Sequence, residues 1–178
     1  MIVTRYAAVM RRLHWLMAVL LLLVFVAMEQ RDIFPRGSQG RIVMMQSHYW
    51  IGLALFALVW WRLARRWKLG IPAITPLLPP WQSMSSKLLH YSLYALMMIM
   101  PLLGLATAWT DGKQLMLPFT DIAMPVLLAE DVELAHMLED LHQLGGDIFY
   151  WVIGLHIVAA LYHHFIRRDD TLRRMGWG

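Results

Sequence analysis

The chain has 178 residues, 59% of them hydrophobic and 16% charged, with a formal net charge of +4 at neutral pH. Soluble domains run nearer to about 45–50% apolar and 25% charged residues, so this composition excludes an ordinary soluble domain and implies an integral membrane protein. The absence of cysteine excludes disulfides, zinc–thiolate sites and iron–sulfur clusters.

Four apolar runs follow in order. Leu13–Met28 opens after Arg11 and Arg12 and ends at Glu29, Gln30 and Arg31. No small-x-small cleavage pattern follows it, so it is expected to remain as a first helix rather than to be removed as a signal peptide. Val43–Trp61 is closed by Arg62, Arg65, Arg66 and Lys68. Leu88–Trp109 opens after Lys87 and contains Pro101, where a kink is expected. Leu144–Ile166 is closed by Arg167 and Arg168. The pattern predicts an all-α, four-helix membrane bundle in one domain spanning 1–178, with helices over roughly 10–31, 43–66, 87–109 and 141–167. The Pro-rich stretch 70–86 and the polar stretch 110–141 are the long connections.

Charge sets the expected orientation. With the N-terminus inside, Arg5, Arg11, Arg12, Arg62, Arg65, Arg66, Lys68, Lys87, Arg167, Arg168, Arg173 and Arg174 are cytoplasmic, and only Arg31, Arg36, Arg41 and Lys113 lie outside. Twelve against four of the sixteen basic residues place both termini in the cytoplasm. The isoelectric point near 9.7 then reflects topology, and no nucleic-acid partner is implied. Trp15, Trp60, Trp61 and Trp109 fall near span ends, as an interfacial aromatic belt requires.

The histidines carry the chemical signal, because ionisable side chains within a span are costly and usually functional. His142 and His156 share one face of the fourth helix to within about 40°, about 21 Å apart along its axis. Aligning Arg12 with Arg62 puts His14 low on the first helix and His48 about 18 Å higher on the second. The two intervals match, so His14 is expected to face His156 and His48 to face His142. Two opposed imidazole pairs in an apolar bundle suit two b-type haems, each held by two axial histidines. Gly52, Gly104, Gly145, Gly146 and Gly154 are placed for close porphyrin approach, and covalent c-type attachment would need cysteines. Zinc or copper at each pair would leave coordination positions unfilled, with no carboxylate beside both pairs. A lone buried histidine can instead bond a backbone carbonyl or line a proton path. His136, in the acidic stretch Glu130–Asp140, is expected to be solvated, and His164 to be interfacial.

These residues also resemble a known family. The RLHW opening, EQRDIFPR after the first span, HYWIG on the second and IGLHIVAALYHHFIRRDDTLRRM at the end look like the small bacterial cytochrome b561 family, over essentially the whole chain. The resemblance implies haem iron ligation by His14, His48, His142 and His156, and a quinone site towards the cytoplasm that includes His90 and His163. It further implies a multi-pass protein of the bacterial cytoplasmic (inner) membrane with two haem b groups. The diheme branch of the family most similar to this chain oxidises superoxide and passes the electrons to ubiquinone. On that reading Arg31, Arg36, Arg41 and Lys113 steer superoxide to the outer face, and no obligate protein partner is required. The plainer expectation is that these four cations balance Asp32, Asp111 and Asp121. Two alternatives share the same haems. One is a membrane anchor and electron-transfer subunit of a larger quinone-linked respiratory enzyme, with 110–141 as a docking surface rather than a lid. The other is a quinol-fed cytochrome working in reverse.

Overall fold

A computed structural model describes residues 5–118, 120 and 122–176. Four long helices dominate it: α1 (Ala8–Glu29), α2 (Gln39–Leu69), α3 (Pro80–Thr110) and α4 (Val132–Tyr162). One wider turn, His163–Arg167, extends α4, and the short α5 (Thr171–Met175) follows. All four long helices are long and apolar enough to cross a membrane. At 1.5 Å per residue, the 22 residues of α1 reach about 33 Å, enough for a hydrocarbon core of about 30 Å.

The helix ends lie further out than apolarity alone marks them. α3 begins at Pro80 rather than near 87, because proline at the first helical position gives up only an amide with no intrahelical partner. α4 begins at Val132 rather than near 141, capped by the Asp131 carboxylate, which accepts from Leu134 N at 3.0 Å. The polar tract before the fourth apolar run is therefore largely helix, and His136 stands on its exposed side. α3 continues through Pro101 as one helix.

The chain runs up and down. At one end, here the terminal end, Arg11 Nη1 donates to Gly176 O at 2.6 Å, Trp15 Nε1 to Met175 O at 3.0 Å and Arg62 Nη1 to Met10 O at 2.8 Å. Arg167 joins the same end through Gln82 Oε1 at 2.8 Å and Leu77 O at 3.0 Å. At the opposite loop end, Tyr150 Oη donates to Glu29 at 3.3 Å, and Asp131 N donates to Thr110 O at 2.9 Å.

One buried cluster holds the bundle: Met17 and Val24 of α1, Leu55 and Val59 of α2, Tyr94, Met97 and Met100 of α3, and Phe149 of α4. Lipid is as apolar as these side chains, so the cluster holds by close van der Waals packing rather than by escape from water. α4 contributes only Phe149 to it. Ile153 of the same helix packs against it from the side.

Candidate functional site

The structure brings together the histidines paired by depth. At the loop end, the His48 and His142 ring centroids are 6.0 Å apart with an interplanar angle of 79°. At the terminal end, His14 and His156 are 6.1 Å apart at 75°. Two imidazoles that bind one metal from opposite sides, with metal–nitrogen bonds of about 2 Å, place their ring centres about 6 Å apart. Both pairs therefore have the separation of axial ligands.

His48 is oriented by the backbone, its Nδ1 lying 3.1 Å from Val24 O. A carbonyl only accepts, so Nδ1 carries the proton and Nε2 is left unprotonated, the form in which a histidine can ligate a metal. His142 presses on Gly104, where an added Cβ would stand 2.8 Å from His142 Cε1. His142 Nδ1 is buried without a hydrogen-bond partner. The glycines divide into two groups. A Cβ at Gly104 would collide with His142, and one at Gly145 with Met100 Sδ, so these two make room for protein side chains rather than for a porphyrin. Gly52, Gly146 and Gly154 face open space. A small gap lies beside His48, His142 and Gly52, with Leu115 on its wall. Paired imidazoles, open glycine faces and apolar walls fit a haem.

A strap formed by residues 114–116 covers this gap. Gln46 Nε2 donates to Gln114 O and Gln46 Oε1 accepts from Met116 N, both at 3.2 Å, while Trp50 Nε1 donates to Met116 O at 2.7 Å. These bonds press Leu115, 1% exposed, against the His48–His142 slot. This part of the 110–141 segment packs over the site as a lid. Phe119 and Asp121 lie outside the described residues.

All four basic residues expected outside line one open cavity: Arg31, Arg36, Arg41 and Lys113, with Gln46, Tyr49 and Glu139. Tyr49 also lines the small gap, so it stands between the basic mouth and the histidine pair. Charge balance accounts for part of the cluster. Arg41 pairs with Asp32 at 2.6 Å, Arg31 with Asp32 at 3.7 Å, and Lys113 with Asp111. Arg36 is exposed and makes no ion pair among the described residues. Burial works against the Lys113 ammonium, but Asp111, Tyr49 and Glu139 outweigh it and lift its pKa above the usual lysine value. The group therefore stays charged.

At the terminal end His90 joins the histidine pair, its ring 5.4 Å from that of His156. Its Nδ1 donates to Ser86 O at 2.6 Å. His163 lies elsewhere, in the turn after α4, with Nδ1 2.5 Å from Asp169 Oδ2. No ring contact or hydrogen bond joins His90 to His163 among the described residues. His164 packs edge-on against Phe165.

Tyr49, Gln46, Leu115 and Asp169 were not singled out from sequence. Tyr49 and Asp169 lie within the HYWIG and RRDD motifs, so their place beside the histidines was the available signal.

Four spans around two opposed imidazole pairs define a class, the membrane-embedded haem cytochromes. The family profile described as "Prokaryotic cytochrome b561" matches residues 5–178, and the chain belongs to that family, which implies b-type haem. It is 32% identical over 171 residues to "Cytochrome b561 homolog 1" of Escherichia coli (strain K12), covering 96% of each chain. It is 30% identical to "Probable superoxide oxidase CybB" of Yersinia pestis, over 96% of this chain and 95% of that protein. "Cytochrome b561 homolog 2" of Escherichia coli (strain K12) is 26% identical, over 96% of this chain and 90% of that protein.

Proposed function

We propose that this protein is a two-haem b cytochrome of the bacterial cytoplasmic membrane that oxidises superoxide outside and reduces ubiquinone within the bilayer. The observation that carries this reading is the mouth: Arg31, Arg36, Arg41 and Lys113 converge on one cavity that shares Tyr49 with the His48–His142 slot. The similarity to a probable superoxide oxidase supports the same substrate.

His48 and His142 would hold the outer haem and His14 and His156 the inner one, with both termini in the cytoplasm. At 5.4 Å from His156, His90 is nearer than an opposed axial partner at about 6 Å, which favours His14 as the second ligand. Bound haem supplies one-electron storage and transfer. The mouth cations draw a small anion towards Tyr49. Leu115 and the core around Phe25 and Phe149, whose rings are 6.0 Å apart, keep water from the interior between the two levels. Two superoxide anions give up one electron each and leave as dioxygen. One quinone takes those two electrons and two protons to become quinol. His163 and His90, both at the terminal end, would handle these protons.

The test is rapid mixing of purified protein with superoxide and a soluble ubiquinone analogue. Haem reduction followed by two dioxygen per quinol is expected. Haems that superoxide does not reduce would sink the reading. Exposed Val126, Leu127 and Leu128, outside the spans, favour a second reading, an anchor for a redox subunit. That reading requires a stable complex in which the partner, not superoxide, reduces the haems.

A further inference from the structure

The turn that ends α4 is built around one carboxylate. Arg168 adopts a left-handed conformation (φ 57°), unusual for a residue with a Cβ, and this folds the chain back on itself. Arg168 N and Asp169 N both return to the carbonyl of His163, the latter at 3.1 Å. The Asp169 side chain is thereby withdrawn completely from solvent. Its Oδ1 accepts from Thr171 N at 2.9 Å, and its Oδ2 meets Arg167 Nε at 3.1 Å and His163 Nδ1 at 2.5 Å. Arg167 is anchored in turn to Gln82 of α3 and to the Leu77 carbonyl. Gln82 stands eight residues before His90, about 12 Å along the same helix.

A carboxylate serving only to close the turn would be satisfied by Thr171 and Arg167. The further short contact goes to the one histidine of the turn that faces inward to it. We propose that Asp169 is the positioning residue for proton delivery to the quinone: it accepts the Nδ1 hydrogen of His163 and leaves Nε2 as the nitrogen that gives a proton to the quinone oxygen. The inference rests on the reading above, that a quinone is reduced beside His163. A buried carboxylate behind an imidazole fixes its tautomer and stabilises the charged ring without itself taking the proton.

In the balanced step the quinone gains two electrons, delivered one at a time from the outside, and two protons. His163 Nε2 gives one proton and the ring becomes neutral, with Nδ1–H still on Asp169. Water at the terminal end supplies the second proton and then reprotonates Nε2. Among the described residues the charged group on the pair is Arg167 from the same turn, which α3 meets through Gln82; Asp170 and Arg174, next along the chain, pair with each other. Burial pushes the Asp169 carboxyl up, but hydrogen bonds from His163 and Thr171 outweigh it and hold its pKa below the usual carboxylate value. Asp169 is therefore the anion of the pair.

The test compares the haem-loaded wild type with Asp169→Asn, Asp169→Glu and His163→Ala. Asp169→Asn keeps an acceptor for Thr171 but not the charge. Its turnover with quinone should fall by about 10²-fold, with KM for quinone and haem reduction by superoxide unchanged. Asp169→Glu should recover part of the rate. Histidine ¹⁵N spectra of the wild type, with the His163 signal assigned by its loss in His163→Ala, should show a hydrogen-bonded Nδ1–H. A bare Nδ1 overturns the proposal even where a variant fails to fold. Normal turnover in Asp169→Asn with impaired His163→Ala overturns the role of Asp169 and leaves the quinone site standing. Normal turnover in His163→Ala removes both.

Discussion

His48 donates Nδ1–H to the carbonyl of Val24 at 3.1 Å, and this bond decides which face of the ring remains for a metal. The donor is on α2 and the acceptor on α1, so packing of the first two helices sets the orientation of the His48 ring. Such outer-shell bonds to ligating histidines fix the tautomer and raise ligand basicity.

From this follows the expectation for haem content. The purified protein should hold two low-spin b haems per chain. His48→Ala or His142→Ala should remove one haem, and His14→Ala or His156→Ala the other. Haem-to-protein ratios with reduced-minus-oxidised spectra check this. Loss of the same haem from His48→Ala and His14→Ala would refute the pairing.

Gly104→Ala should weaken the loop-end site without replacing any of the four paired histidines. The new Cβ would stand 2.8 Å from His142 Cε1, too close for either atom to stay, and α3 is packed along α4 so the ring must move. Changes to the residues just outside the ligands of a metal site typically cost about 10-fold to 100-fold in affinity. Haem titration of the apoprotein should show that loss for one haem only, with the terminal-end haem unchanged.

How far the sequence was readable depended on the kind of information each residue required. The pairing of His14 with His156 and His48 with His142 was legible because a helix converts residue number into depth and azimuth. The basic mouth was half legible. Arg31, Arg36, Arg41 and Lys113 declared themselves by opposing the charge bias of the chain, but their shared cavity with Tyr49 depends on Gln46 reaching Gln114, sixty-eight positions away. Helix starts at Pro80 and Val132 were missed because apolarity marks the stretch meant for lipid, whereas capping by Asp131 and a leading proline marks the helix itself. Asp169 was hidden for another reason. Its fold-back requires a left-handed residue, and arginine at 168 gives no hint where glycine would have.

At the terminal end, His90→Ala and His163→Ala should separate binding from chemistry. His90 stands against His156, so its loss should perturb the spectrum of the terminal-end haem and raise KM for quinone. His163 is tied to Asp169 away from that ring, so its loss should lower quinone turnover with both haem spectra unaltered. Parallel spectra and Michaelis curves for the two variants check this. Identical effects would mean the two histidines do not divide these roles.

The unpaired charge of the mouth makes the last prediction asymmetric. Arg41 and Arg31 share Asp32, and Lys113 is held by Asp111, so much of their field is cancelled at a distance. Arg36 is exposed and has no such partner among the described residues. Steering acts through the uncancelled field, which is screened over about 8 Å at physiological ionic strength. Arg36→Glu should therefore slow superoxide-driven haem reduction by about 3-fold to 10-fold at low salt. Arg41→Glu should slow it too, but also set three carboxylates together with Asp32 and Glu139 and disturb the mouth. The two Arg36 proteins should converge as salt is raised towards about 1 M, where the screening length falls to about 3 Å. Equal rates for wild type and Arg36→Glu at low salt would reduce this arginine to a solvating role.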